Sequence, residues 1–422
     1  MTRADPRPSL WTRRPSLALR NILHGGKRSI VAIVGTSLAT VLVLLQLGFL
    51  EAVRFTAAVN YDQLNFDLAL VSSDFEQFYD PGQFPRERLR LAAGADQVEW
   101  ARPLYARMNF WRCPPYPLDN LDDHAGEDLS AIERWWLGRK RPRPLQRREL
   151  LVLGAELDAH PFRNPIRAQI EAAEGLLRLD NRLLLNERSN PDFGWDQRDE
   201  FDGWEVGQRR AILAGGFTLT RSFGADAAVL CSAVNFARNF GLSSPEVAVS
   251  FGLVKLAGGA DSARVASRLN ARLPADVRAL TRAELYEQEE DFWVNQTATG
   301  RIFGFGVLIA LLVAAAVIYQ VLSADIRDHL SEYATLKALG YANSYLVRVV
   351  LIQAIIYGVL AYLPAVAASY ALYRATEALA GIPMVMTASN LALVFALTLG
   401  IGFVSGLLTM NRLRGADPAD LY

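Results

Sequence analysis

Ser29-Ile-Val-Ala-Ile-Val-Gly-Thr-Ser-Leu-Ala-Thr-Val-Leu-Val-Leu-Leu-Gln-Leu-Gly-Phe-Leu50 contains no Asp, Glu, Lys or Arg. As a helix rising 1.5 Å per residue, a run of this length crosses the roughly 30 Å hydrocarbon core of a bilayer. Three further charge-free runs follow near the other end of the chain, at 302–322, about 349–373 (within a span assigned to 347–373) and 391–410. Buried helices of water-soluble proteins rarely hold more than about 10–14 consecutive apolar residues, so all four runs read as membrane spans. The first is too long for the apolar core of a cleavable signal peptide, about 7–15 residues, and no small-residue cleavage site follows it. It reads as an anchor. The expected fold class is an α-helical membrane protein with four transmembrane helices and a large α+β domain between the first and second.

Composition agrees with this division. The 422 residues are 51% hydrophobic and only 21% charged, and the apolar excess collects in the four runs. Residues 52–298 instead have the texture of an ordinary polar globular segment. The 44 basic and 44 acidic residues cancel, so nothing points to nucleic acid as a partner. Orientation follows from the basic residues beside the spans. Arg3, Arg7, Arg13, Arg14, Arg20, Lys27 and Arg28 precede the first span against the single acid Asp5, and Arg412 and Arg414 follow the fourth. The positive-inside rule places both termini in the cytoplasm and residues 52–298 outside. Residues 1–28 thus form a cytoplasmic segment, amphipathic over 10–24, ahead of a span at 29–51. Residues 323–346 form a cytoplasmic loop and 411–422 a cytoplasmic tail.

Within 52–298, strand-like runs at Asp67–Val71, Ala101–Trp111, Glu246–Phe251 and Val277–Leu280 alternate with helical patterns at Arg86–Ala93, Ser262–Leu273 and Thr281 toward Asn295. These flanks, about 60–111 and 241–295, predict one α+β lobe near the membrane. The middle, about 112–240, is rich in Pro and Arg and carries strand-like runs at Glu149–Leu153, Leu183–Leu185, Arg209–Leu213 and Ala227–Cys231. It predicts a β-rich inserted lobe. Cys113 and Cys231 both fall outside the membrane, where an oxidising compartment permits a bridge, but the pattern, with Cys231 inside a strand-like run, reads more readily as two unpaired small hydrophobes.

No nucleophile, metal or nucleotide constellation stands out. The glycine spacing of a phosphate-cradling loop precedes none of the four lysines, and the four histidines are scattered. No metal site is expected. Transporters coupled to protons or ions carry ionisable groups within their spans, which argues against that class here. Gly300 with Gly304, and Gly402 with Gly406, have the four-residue spacing that lets helix backbones approach closely.

The loop after the second span is the most informative connection: Tyr319-Gln-Val-Leu-Ser-Ala-Asp-Ile-Arg-Asp-His-Leu-Ser-Glu-Tyr-Ala-Thr-Leu-Lys-Ala-Leu-Gly-Tyr341. Ile326, Leu330, Tyr333 and Lys337 recur at helical spacing and predict one helix face, with Gly340 at the position of a left-handed C-terminal cap. On pattern alone this is also what a simple interfacial hairpin looks like.

Glu332-Tyr-Ala-Thr-Leu-Lys-Ala-Leu-Gly-Tyr341 resembles the signature loop of the FtsX/MacB superfamily of ABC-transporter permeases, and most of all its DevC-type branch. Leu17-Ala-Leu-Arg-Asn-Ile-Leu23, Leu253–Asp261, Trp293 and Ala416-Asp-Pro-Ala-Asp420 resemble the same family. The resemblance implies a permease subunit with no enzyme activity of its own, working as a homodimer with a separate ABC ATPase. No cofactor is expected on this chain; ATP and Mg would sit on the ATPase. Asp325, Arg327, His329, Leu330, Glu332, Tyr333, Lys337 and Gly340 become the candidate ATPase-coupling residues. The resemblance further implies the inner membrane of a bacterium with the large domain in the periplasm, and contact with membrane lipid. A periplasmic membrane-fusion adaptor, a TolC-like outer-membrane channel and a hydrophobic or amphipathic, glycolipid-like cargo are implied too. Two other family roles remain open: an FtsX-like regulator of a periplasmic hydrolase, and a lipoprotein-releasing permease of the LolC/LolE type.

Overall fold

The structure, a computed structural model, describes residues 26–112, 147–158, 161–190, 193, 195, 204–207, 209–240, 244–380 and 382–414. The amphipathic segment at 10–24, Cys113 and the end of the tail lie outside the described residues. The chain forms two compact units: one comprises Val53–Thr297, the other the residues before and after it. Helix α1 (Lys27–Ala57) opens the described chain.

The Val53–Thr297 unit is built on one sheet. Its elements follow α1 as α2 (Val59–Asp62), β1 (Leu68–Ser72), β2 (Phe84–Pro85), α3 (Arg86–Ala93), β3 (Val98–Arg112), β4 (Arg147–Ala155), α4 (Ile166–Leu177), β5 (Arg182–Asn186) and β6 (Trp204–Val206). Then come β7 (Arg209–Phe217), β8 (Ala228–Ser232), α5 (Ala233–Phe240), β9 (Ala248–Val249), β10 (Phe251–Leu256), α6 (Ser262–Asn270), β11 (Val277–Thr281) and α7 (Arg282–Asp291). Nine strands lie in the order β11-β1-β10-β3-β4-β8-β5-β7-β6, and β6 also pairs with the far end of β3 through Trp111–Val206 and Arg112–Glu205. That last pairing closes the strands from β3 to β6 into a ring.

The sequence divides this unit into two lobes, whereas the structure threads one sheet through both. The reason is β3. Its first part pairs with β10, from Leu256–Val98 to Phe251–Leu104, and its second part pairs with β4, from Leu104–Ala155 to Arg112–Arg147. Such pairing is set by contacts distant in sequence, which local pattern does not reveal. Both faces of the sheet are covered. Leu68 and Leu70 of β1 join one core with Leu89, Val254 and Val265. Ala69 and Val71, pointing the other way as alternate strand residues must, join a second with Phe78, Leu253 and Leu285. A Cβ on Gly154 would lie 2.7 Å from the Phe236 ring, so only glycine lets α5 settle this closely on β4. Two helices are started by side chains. Asp261 accepts from the Ala263 and Arg264 amides at the head of α6, and Thr281 and Glu284 form a reciprocal capping box at the head of α7.

The other unit contains α1 up to Ala52 with α8 (Ala298–Asp328), α9 (Leu330–Ala338), α10 (Asn343–Ala380) and α11 (Ala388–Arg414). Four of these helices are long and apolar enough to cross a membrane, over Ser29–Ala57, Ala298–Asp328, Ser344–Leu379 and Ala388–Thr409. Each extends past the apolar run that announces it, because charged residues continue a helix readily once beyond the apolar layer. Polar side chains join the helices in pairs. Ser37 Oγ donates to the Ala361 carbonyl at 2.9 Å, Tyr362 OH to the Leu391 carbonyl at 2.8 Å, and Ser323 and Thr409 share a hydrogen bond of 3.0 Å. Between helices surrounded by lipid, such bonds and close packing replace the hydrophobic effect as the source of association.

Candidate functional site

Helix α8 does not end with its apolar run. It continues from Leu322 to Asp328 and breaks at His329, whose φ of −101° and ψ of 13° leave the helical region. His329 holds the break compact: its N–H donates to the Asp325 carbonyl at 3.2 Å, and its Nδ1 lies 2.8 Å from the same oxygen. Helix α9 begins at once with Leu330. At its far end the Gly340 N–H donates to the Lys337 carbonyl at 3.0 Å and the Tyr341 N–H to the Leu336 carbonyl at 3.1 Å. Together with φ of +91° at Gly340, these two bonds are a Schellman cap. The result is a short helix held between two sharp turns.

A buried polar cluster holds this elbow to the spans. Asp325 Oδ1 accepts from Tyr357 OH at 3.1 Å, and Oδ2 from Gln353 Nε2 at 3.3 Å. Gln353 Oε1 in turn accepts from Tyr333 OH at 3.0 Å. Since Tyr357 donates to Asp325, the Ser29 hydroxyl 3.4 Å away donates to the Tyr357 oxygen. Ser29, Tyr333, Gln353 and Tyr357 are all buried, and Gln353 is completely so. The five side chains belong to α1, α8, α9 and α10. One carboxylate therefore connects the short helix to two other spans. Ala32, Leu322, Ile326, Val350 and Ala354 pack around the cluster. Among apolar side chains, buried polar groups as well matched as these hold a single geometry, because every alternative leaves a donor unpaired.

The outer side of the elbow is different. Arg327, Glu332, Thr335 and Lys337 are exposed. Beyond them Leu339 is 71% exposed and Tyr341 47%, and the Tyr341 and Tyr345 rings pack together at 5.0 Å. An apolar tip flanked by charges of both signs is a surface suited to a protein partner.

The sequence-expected face of Ile326, Leu330, Tyr333 and Lys337 is not a single face. The break at His329 starts a new helix whose inner residues are Tyr333 and Leu336, three apart, while Lys337 faces solvent. Asp325 is likewise no surface residue, since its side chain is only 11% exposed. Gln353 and Tyr357 escaped the candidate list, although both carry a signal. Polar side chains one helical turn apart inside a span need partners, and these two share Asp325.

The small-residue pairs divide. Gly402 lies against Ala354, and Gly406 against Leu322, Val350 and Leu351, so both sit where α11 meets its neighbours. Gly300 is buried, but Gly304 is exposed with nothing within 4 Å of where its Cβ would be. Gly306 instead faces Gln46, and Gly48 makes room for the Tyr373 phenol. Cys231 is a buried thiol aimed at the Leu153 carbonyl at 3.6 Å, and burial pushes its pKa up, which favours the neutral thiol over the thiolate. Pairing with Cys113 lies outside the described residues.

Residues 304–418, which include α9 and its anchoring cluster on α8 and α10, match the family model for the FtsX-like permease C-terminal region. No curated protein matches the chain. Among solved structures, the periplasmic region of MacB from Actinobacillus actinomycetemcomitans is similar at 8% identity over 55% of this chain and 95% of that one, with a TM-score of 0.33. The extracellular domain of the noncanonic ABC-type transporter YknZ from Gram-positive bacteria is similar at 12% identity over 51% and 99%, with a TM-score of 0.28.

Proposed function

We propose that this chain is the transmembrane permease subunit of an ABC-type transporter of the FtsX/MacB superfamily, DevC branch, and that α9 is where a separate ATPase subunit drives it. The observation that carries the proposal is the construction of α9 inside the FtsX-like region 304–418. The helix is capped at its end, pinned from within by Asp325, Gln353, Tyr333 and Tyr357, and presents charges and an apolar tip outward. A partner pressing on that tip moves α8 and α10 directly, because the anchoring side chains leave no slack.

In this reading α9 and both termini face the cytoplasm, as the basic residues beside the first and fourth spans require. The Val53–Thr297 unit stands in the periplasm of an inner-membrane protein. ATP and Mg belong to the ATPase, and the permease works as a homodimer whose lipid-facing helices pack in the bilayer. Cargo is hydrophobic or amphipathic, is gathered outside, and passes on through a membrane-fusion adaptor and an outer-membrane channel. Purification of the tagged full chain in mild detergent tests the core of this: an ABC ATPase is expected to co-purify. Recovery of the intact chain without an ATPase, under conditions that preserve its four spans, would contradict the proposal.

A further inference from the structure

Glu289, near the end of α7, is the one acidic side chain completely buried among the described residues. Three hydrogen-bond donors converge on it. Tyr61 OH donates to Oε2 at 2.8 Å, the Phe78 N–H lies 3.0 Å from each oxygen, and Trp293 Nε1 donates to Oε1 at 3.1 Å. The donors come from three separate places. Tyr61 is in α2, Phe78 is in the loop between β1 and β2, and Trp293 is in the π-helical turn Phe292–Gln296 that follows α7. The first and last of these lie at the two ends of the Val53–Thr297 unit.

Among the described residues, no cation pairs with this carboxyl group. Arg282 pairs with Asp62 at 3.3 Å and Arg54 with Glu290 at 3.3 Å. The groups facing Glu289 are aromatic: Tyr61 against Phe78 with ring centroids 5.1 Å apart, and Tyr79 against Trp293 at 5.8 Å. Tyr79 is itself fixed by Asn60, whose Nδ2 donates to its hydroxyl at 2.9 Å.

We infer that Glu289 is a positioning residue whose carboxyl group holds α2 and the π-helical turn, the two ends of this unit, against the loop between β1 and β2, and holds them more firmly when protonated. A carboxylate buried without a cation is costly, and its donors offset only part of that cost. Its release into water therefore favours the ionised form. The proton has a place in the held state, because Tyr61 can reverse its bond and accept from the acid.

Burial pushes the Glu289 carboxyl up from 4.5 to about 7, against the lowering effect of the Phe78, Tyr61 and Trp293 donors. The held state has the higher pKa, so it binds the proton more tightly than the released state does. The extra hold is complete below 4.5, is lost as pH rises toward about 7, and changes no further above that. Among the described residues facing Glu289, the tyrosines do not titrate in this range. Burial raises Tyr61 well above its ordinary value and Tyr79 to about 12, and the described residues of this unit include no histidine.

The inference leans on the permease reading only for its consequence, namely a pH-dependent stiffness at the two ends of the proposed periplasmic unit. It is tested on the full chain alone in detergent, without an ATPase, so its failure is distinguishable from failure of that reading. Hydrogen–deuterium exchange is followed by mass spectrometry in peptides covering 75–80 and 289–297, corrected for intrinsic exchange. We expect protection to fall about tenfold from pH 6 to pH 8, as one proton is lost from the held state. Glu289→Gln should abolish that dependence. Tyr61→Phe, which removes one donor to the carboxylate, should move the midpoint upward, and it decides the matter if the Gln variant fails to fold. Protection that is independent of pH in the native chain, or that keeps the same pH dependence in Glu289→Gln, would overturn the inference. So would an unmoved midpoint in Tyr61→Phe.

Discussion

Asp325 is the side chain on which the elbow depends. It accepts from Tyr357 and Gln353, and through Gln353 it reaches Tyr333 of α9. Asp325→Leu keeps comparable bulk but leaves two buried donors without an acceptor. Each unmet bond costs on the order of 1–2 kcal/mol, so thermal unfolding of the detergent-solubilised chain should begin several degrees lower. Asp325→Asn retains one acceptor and should fall between the two. A Leu variant as stable as the native chain would remove Asp325 from its role. The resemblance pointed to this residue for a different reason, as one of the candidate ATPase-coupling residues. The family resemblance could nominate Asp325, but its burial could not be read from the sequence, because the partners Gln353 and Tyr357 lie about thirty positions away. Ser29, the last member of the cluster, begins the first apolar run, where a lone hydroxyl carries no signal.

Among the elements, α9 owes its length to its two ends. Gly340 takes φ of +91° with nothing within 4 Å of where a Cβ would sit, so the obstacle to substitution there is backbone conformation rather than space. Gly340→Val should therefore cost roughly 1–2 kcal/mol, whereas Gly340→Asn, which tolerates the left-handed region, should cost far less. Faster amide exchange across 330–341 in the Val variant, with near-native exchange in the Asn variant, is the expected pattern; equal exchange in both would contradict the capping role. The cap was legible because glycine follows the last apolar position of a helical run. The start of α9 was not legible, since periodicity runs through His329 unbroken and only the backbone there reveals two helices. The four long helices could be seen for a plain physical reason: a bilayer leaves no place for charge. Their ends could not, because Ser323–Asp328 is good helix sequence outside the apolar layer.

For the whole molecule, the sequence separated a membrane portion from a globular one, and the structure has two units with Val53–Thr297 as the second. It could not show that the strands of that unit form one sheet. The composition shift at Cys113–Pro114 suggests a lobe boundary, yet β3 runs up to Arg112 and pairs on both sides, with β10 and with β4. In the proposed mechanism, force enters the molecule at α9, the point of contact with the ATPase. Glu332 and Lys337 are both exposed, so exchanging their charges should change stability by no more than about 0.5 kcal/mol. It should nonetheless misalign a partner built to match them. The direct measurement is ATP hydrolysis by the reconstituted complex of this chain with its co-purifying ATPase, comparing the native permease with the double variant Glu332→Lys, Lys337→Glu. We predict that the permease-dependent part of hydrolysis falls at least about tenfold, while the variant inserts and unfolds like the native chain. Undiminished permease-dependent hydrolysis would contradict the assignment of α9 as the coupling element.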